Sequence, residues 1–421
     1  MKRFIEKIDH NSYIFQIITL MSGTLMAQAL MFVFIPILTR IYTPTEFGLY
    51  SLFFLISSMI GDVSSLRYEQ AIVLPKSDRD AQTLVFLSVI ITFIITTIVT
   101  LAIILFYDFF LDYFNGLDYL VWLLPLSILI LGLTQIFDTY STRRELYKKI
   151  ATVRVVESVT TISTQWSSRY LFALDGLIVG KLISNFFVLY QFVYFHIKKQ
   201  TIGVKYLTKR RLKANIKRHN SFPKYFAFSS LLNSFSQNIP VFLLSMLFSP
   251  AIAGFYGLTA RVMQVPILLI SGSTRRVFYQ KASKMYTNRE SIREIYIKTT
   301  IGLIKLFIVP LLIILFFGEE IFVFIFSKEW AESGVIAQIT IIWFLFAFIS
   351  SPTSMIYNIL SLQKRLLQLQ IVTTIARVLS IYSGFYFFDS YIASVVLFTV
   401  VSVIHNIIFM GYIYYKIGGK R

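Results

Sequence analysis

Apolar residues do not alternate with polar ones along this chain. They run in blocks of about 20 residues separated by short polar segments. A block of that length carries an α-helix across the hydrocarbon core of a bilayer. Twelve blocks fit, near 14–39, 46–66, 82–106, 118–141, 151–171, 174–196, 225–248, 251–273, 296–317, 334–358, 365–387 and 390–415. The pattern predicts an all-α polytopic membrane protein. The block at 151–171 is the least apolar, and its core, "VRVVESVTTISTQWSSRY", poses the main question of the pattern.

In that block Arg154, Glu157, Thr161, Thr164 and Ser168 recur in steps of three and four, so they share one helix face. Val155, Val159, Ile162 and Trp166 lie opposite. Such a helix lines an aqueous cavity or lies as a connecting helix on the surface. Gln165 belongs with the same polar set. Weaker polar stripes occur in other blocks: Lys181, Ser184, Asn185 and Gln191; Ser230, Asn233, Ser234 and Gln237; and Gln16, Thr19, Gly23 and Thr24. Small and polar residues serve cavity lining and plain helix packing alike.

Depth sorts the cations. Arg261 falls about 15 Å into its block at the helical rise, and Arg377 falls at a similar depth in its own. Both are too deep to reach the interface easily, so each lines a cavity, makes an internal ion pair or hydrogen-bonds carbonyls of the spans. Lys181 is shallower; Arg154 and Lys305 lie near a surface where long side chains snorkel. Glu157 either neutralises Arg154, three residues away, or carries a proton. Asp62, Glu69 and Asp138 are the other candidate acids.

The chain has 421 residues, 56% hydrophobic and 14% charged, with mean hydropathy +0.69. Soluble domains carry about 25% charged residues. The net charge of +19 would suit nucleic acid, but it sits between the apolar blocks. Ten Lys and Arg fall in 197–224, including "KRRLKANIKR", and others near the first residues, in 274–298 and in the tail. Arg40, Arg169 and Lys328 are the only cations in the alternate connections. By the positive-inside rule both termini are cytoplasmic. The basic excess is therefore topology, with contact to the phospholipid bilayer, and not a nucleic-acid surface. Part of 197–224 is expected to lie as an amphipathic helix on the inner leaflet. "MKRFIEKIDHNSYIFQIITL" reads as a retained first span.

The segment "ILTRIYTPTEFGLYSL" (37–52) is echoed by "LLSMLFSPAIAGFYGL" (243–258). At an offset of 206 residues, Pro44 matches Pro250, Gly48 matches Gly254, Tyr50 matches Tyr256 and Leu52 matches Leu258. Both join the first and second blocks of a six-block half. The expected architecture is two six-helix lobes related by a pseudo-two-fold along the membrane normal. They are 1–196 and 225–421, with 197–224 as a basic cytoplasmic linker.

Cysteine is absent, and His10, His196, His219 and His405 are scattered without metal-ligand spacing. No P-loop or nucleophile-elbow motif occurs. The external connections are short, which argues against a membrane glycan polymerase. A secondary transporter remains, and the cationic excess within the spans favours an anionic cargo. A cation-drug antiporter would need a net acidic cavity. A scaffold for other glycan-assembly membrane proteins, working through 197–224, is a further alternative.

"SGTLMAQALMFVFIPILTRIYTPTEFGLYSL" followed by "RYEQAIVLPKSDRDAQTL", and "FPKYFAFSSLLNSFSQNIPVFLLSMLFSPAIAGFYGLTARVMQVPILLI" followed by "RRVFYQKAS", carry a resemblance. They resemble bacterial O-antigen and capsular polysaccharide flippases of the multidrug/oligosaccharidyl-lipid/polysaccharide exporter superfamily. The resemblance implies two six-span lobes around a cationic cavity in the bacterial inner membrane. It implies an undecaprenyl-diphosphate-linked oligosaccharide as cargo, moved to the periplasmic leaflet by alternating access coupled to H+ or Na+. Arg40, Arg67, Glu69 and Arg261 fall in the shared motifs. Arg261 and Arg377 are expected on the diphosphate, and Lys181 and Arg154 along the path. Glu157, Thr161, Gln165, Asn185, Asn233 and Gln237 are expected to line the cavity.

Overall fold

A computed structural model describes residues 13–113, 118–172, 176–201, 203, 207–360 and 362–418. Lys2, Arg3, Lys7, Lys420 and Arg421, which enter the charge-based orientation, lie outside the described residues.

The described residues form helices and no strands. The helices are α1 (Tyr13–Thr39), α2 (Pro44–Gly61), α3 (Asp78–Leu105), α4 (Asp118–Arg143), α5 (Tyr147–Phe172), α6 (Gly176–Lys198), α7 (Lys209–Arg218), α8 (Ala227–Leu247), α9 (Pro250–Pro266), α10 (Gly272–Thr287), α11 (Arg293–Phe326), α12 (Ala331–Thr353), α13 (Gln363–Phe388) and α14 (Tyr391–Gly418). Short helical turns join some of them. Eight are long and apolar enough to cross a membrane by length and composition. Together with α2, α5, α8 and α9 they occupy the twelve expected blocks. The chain is a multi-pass membrane protein.

Large apolar side chains cover the outside of the helices as well as the core. On α3, Phe93, Ile94, Ile98 and Leu101 are exposed, as are Ile301, Val309, Ile313 and Phe316 on α11. Buried positions include Ser88, Thr92, Thr161, Ser184 and Ser402. Lipid is as apolar as leucine, so helices associate through small residues, hydroxyls and close packing.

Helix ends depart from the expected blocks. The segment 274–298 is helical through Thr287, because α9 runs by way of a wider-wound turn at Ile267–Ser271 into α10. α11 likewise continues to Phe326, past the block expected to end at 317, with a break in helical geometry at Phe317. Charged side chains lower local hydropathy without ending a helix.

Two compact units account for the chain: residues 1–34 with 53–235, and residues 35–52 with 236–421. In the first, Tyr68, Ile72, Leu84, Val85, Ile136 and Tyr140 form a core against which Leu212 and Phe222 pack. The basic helix α7 packs on this core through Leu212. Tyr68 Oη also donates to the Ile216 carbonyl at 3.4 Å.

In the second unit, α2 and α9 open alike. Thr43 and Glu46 form a reciprocal capping box: Thr43 N–H donates to Glu46 Oε2 at 2.7 Å, and Glu46 N–H to Thr43 Oγ1 at 3.4 Å. Pro44 takes the first helical position. In α9, Ser249 Oγ accepts from Ile252 N–H at 3.4 Å and Pro250 follows. The two starts also pack on each other. A Cβ on Gly254 would lie 2.0 Å from the Pro44 carbonyl oxygen, and Gly48 has the matching relation to Pro250. A contact that maps onto itself when residue k is exchanged for k+206 is what a two-fold relation between repeats produces.

Candidate functional site

The polar stripe of α5 divides in two. Its upper part zips α5 to α6. Thr160 and Thr161 pair with the Ser184 hydroxyl at 3.0 and 2.8 Å. Thr164 Oγ1 donates to the Gly180 carbonyl at 2.6 Å, and Gln165 Nε2 to the Leu177 carbonyl at 3.1 Å. Gly180 makes this approach geometrically available, since a Cβ there would lie 2.6 Å from Gln165 N. Thr161 and Gln165, expected on a cavity wall, are instead buried in a helix pair.

The lower part of the stripe lines a cavity. About 300 Å³ in volume, it is bounded by Asp62, Gln135, Asp138, Arg154, Glu157 and Asn185, among others. Arg154 bridges two acids, with Nη2 3.0 Å from Asp138 Oδ2 and Nη1 3.3 Å from Glu157 Oε2. Lys181 Nζ lies 3.0 Å from Glu157 Oε1 and 3.3 Å from Thr161 Oγ1, with the Phe54 ring centroid at 5.9 Å. Both cations are engaged by carboxylates, and Asp62 adds a further acid to the lining. The lining around Arg154 holds three acids, and Lys181 and Arg67 pair with two of them, so the charges balance and Arg154 does not present the free cationic surface expected of it. Asp138 Oδ1 and Asn185 Nδ2 are buried without a hydrogen-bond partner among the described residues. One accepts and the other donates, which suits a bound hydroxyl or water.

The second unit contrasts with this. Arg377 on α13 is buried at 7% exposure. Its guanidinium lies 5.7 Å from the Trp343 ring centroid and 5.4 Å from that of Phe398. Nε donates to Ser402 Oγ at 3.0 Å, and Nη1 to Ser236 Oγ at 3.3 Å and to the Ser236 carbonyl at 3.4 Å. Aromatic faces and hydroxyls replace a counter-ion: no carboxylate pairs with Arg377 among the described residues. Arg261 on α9 is half-buried and likewise makes no ion pair among the described residues. Asn233 and Gln237 sit at exposed positions of α8.

Arg40 is exposed at the end of α1. Arg67 lies between α2 and α3 in left-handed backbone, φ 63°. It reaches Glu69 at 3.4 Å and Asp62 at 3.6 Å, and hydrogen-bonds Ser230 Oγ. Glu69 is fully buried and accepts from the Ser65 hydroxyl. Burial pushes the Glu69 carboxyl above its usual range, against the pull of Ser65 and Arg67.

The i,i+3 spacing reveals the Arg154–Glu157 pair. Gln135, and the aromatic faces of Trp343 and Phe398, arrive from other helices and leave no local signal.

Two solved structures share the whole fold. One is described as an inward-facing conformation of a multidrug resistance MATE family transporter of the MOP superfamily. It matches with a TM-score of 0.75 at 15% identity, over 94% of this chain and 94% of that one. The other is the lipid II flippase MurJ in an inward closed conformation, with a TM-score of 0.72 at 14% identity over 96% and 90%. At such identities the likeness concerns the fold. No curated protein sequence matches the chain significantly. The family described as Polysaccharide biosynthesis protein matches residues 37–335. The chain belongs to that family and carries the two-lobed helical fold of the MOP exporters.

Proposed function

We propose that this protein moves an oligosaccharide linked to undecaprenyl diphosphate from the cytoplasmic to the periplasmic leaflet of a bacterial inner membrane. It does so by alternating access and performs no covalent chemistry on its cargo. The observation that carries this reading is the contrast between the two sets of cations. Arg154 and Lys181 already have carboxylate partners. Arg377 and Arg261 have none among the described residues, so they are the cations available to a diphosphate.

A phosphate anion that enters hydrocarbon must exchange its water for charge-assisted hydrogen bonds. Arginine suits this because it stays charged and presents a planar fork. In the first unit, Asp138 Oδ1 and Asn185 Nδ2 supply an acceptor and a donor for sugar hydroxyls. The Asp138–Arg154–Glu157–Lys181 chain is where H+ or Na+ would couple, since neutralising Glu157 frees Lys181 and leaves Arg154 held by Asp138 alone. A solved flippase of the same fold and membership in a polysaccharide biosynthesis family support the same cargo class.

The three carboxylates that line the cavity around Arg154 favour one other reading, a cation-drug antiporter of this fold, as one structural neighbour is a multidrug transporter. Proteoliposomes holding a labelled polyprenyl-diphosphate oligosaccharide separate the two. In the flippase reading the wild type speeds exposure of the glycan to an impermeant oxidant, and folded Arg261→Ala does not. Wild type that leaves exposure unchanged but expels a cationic dye down an ion gradient establishes the antiporter.

A further inference from the structure

The second unit holds another cavity, of about 320 Å³, which the transport reading does not use. It lies where α10 ends, α11 begins and α14 ends. Arg289, Arg293 and Lys416 line it, with Glu290, Tyr286 and Leu360. Three cations face one acid.

Each cation is placed in a particular way. Arg289 closes α10 in left-handed backbone, φ 62°, with its N–H on the Tyr286 carbonyl at 3.1 Å. Glycine or asparagine is the usual occupant of that position. Here it is an arginine whose side chain is exposed and makes no contact with a partner among the described residues. Glu290 makes no ion pair with it among the described residues, and its Oε1 accepts from Asn288 Nδ2 at 3.2 Å. Arg293 hydrogen-bonds the Tyr414 hydroxyl and lies 4.6 Å from that ring's centroid. Lys416 is held over the Tyr412 and Tyr415 rings at 5.7 and 5.9 Å.

The surroundings specify the anion's carrier. Ile297 and Ile301 are exposed one and two turns beyond Arg293 on α11, and Ile404, Ile407 and Ile408 are exposed on α14. A phosphate held in the cavity thus has apolar protein surface beside it, and tyrosines mark the level of an interface. The charge bias assigns this end to the cytoplasmic side, the leaflet richer in anionic lipid.

We propose that this cavity binds the phosphate headgroup of an anionic phospholipid, with Arg289, Arg293 and Lys416 around the phosphate and acyl chains along α11 and α14. The shared chemistry with free phosphate is the anion, and the apolar stripe is what distinguishes the lipid.

The test uses the purified full chain in neutral detergent, with native mass spectrometry to count bound phosphatidylglycerol against phosphatidylcholine. Wild type should retain one phosphatidylglycerol in preference. Arg289→Asn, which tolerates the left-handed backbone, combined with Lys416→Gln should weaken that binding about 25-fold, roughly fivefold per charge. Lys213→Gln with Lys217→Gln on α7 should leave it unchanged. Should the cavity pair fail to fold, Arg289→Asn alone still reads a fivefold loss. Equal retention of both lipids, equal loss in the α7 variant, or full displacement by millimolar inorganic phosphate overturns the proposal.

Discussion

Gly48 faces the Pro250 carbonyl so closely that a Cβ on it would sit 1.7 Å from the oxygen. Gly254 stands in the same relation to Pro44, and Gly257 lies against Ser51, its counterpart at the 206-residue offset. The repeat is thus used structurally. Proline fixes the start of each helix, and glycine one turn later lets the other copy's proline carbonyl reach its backbone.

Gly48→Ala and Gly254→Ala should each destabilise the protein by about 1–3 kcal/mol, the usual cost of overpacking. The neighbouring atom is backbone carbonyl and cannot rotate away. Gly302→Ala, where nothing lies within 4 Å of the added carbon, should be neutral or stabilising by about 0.5–1 kcal/mol. Thermal unfolding in one detergent, followed by loss of monomeric protein on size exclusion, compares all three. Equal melting of the Gly48 and Gly302 variants would refute the close approach.

The Glu157–Lys181 pair makes a different prediction. Side-chain exposure is 24% and 13%, so removing one partner leaves the other partly desolvated. Glu157→Gln alone strands Lys181 and half of Arg154's bridge. Lys181→Met alone leaves Glu157 with Arg154. The double variant should therefore be more stable than the two single losses predict, with a coupling of about 1–3 kcal/mol. A double-mutant cycle on unfolding free energy measures it, and additivity would mean that the contact contributes nothing.

Much of this architecture was legible in the chain. Twelve apolar blocks were visible because lipid demands unbroken hydrophobicity from a helix, whichever helix it neighbours. The Pro44/Pro250 and Gly48/Gly254 match was visible because those residues act through the backbone. What stayed hidden was tertiary. Whether Thr161 faces water or Ser184 depends on where α6 lies, and a helical stripe looks the same in both cases. The charge balance around Arg154 changed once α4 brought Asp138 to it. Arg377 gave its depth away, but not that Trp343 and Phe398 would stand in for a counter-ion.

Glu69 provides a pH test outside the long helices. Burial raises its carboxyl pKa, outweighing Ser65 and Arg67. The folded state then holds the proton more tightly than the unfolded chain does. The stability this confers is complete below the unfolded value, about 4.3, and is lost as pH rises through the higher folded value. Glu69→Gln cannot titrate. Melting temperature of wild type minus that of Glu69→Gln should therefore fall as pH rises from 4 and level off beyond the folded pKa. A difference that grows with pH would show that Arg67 controls the carboxylate instead.

Arg377 separates charge from shape. Its guanidinium is held between Trp343 and Phe398 while hydrogen-bonding Ser402 and Ser236. Lysine keeps the charge but cannot stack or donate in a planar fork. Methionine fills much of the same space without charge, and it removes the desolvation cost of a buried cation that has no carboxylate partner. Arg377→Met should therefore fold and melt at or above the wild-type temperature while losing glycan translocation in proteoliposomes. Arg377→Lys should melt lower, having given up the planar stacking and the forked hydrogen bonds to Ser402 and Ser236, yet retain measurable translocation. Two folded variants with that inverse ranking assign the arginine to cargo binding. A methionine variant that translocates normally would place Arg377 in the packing of the second unit alone.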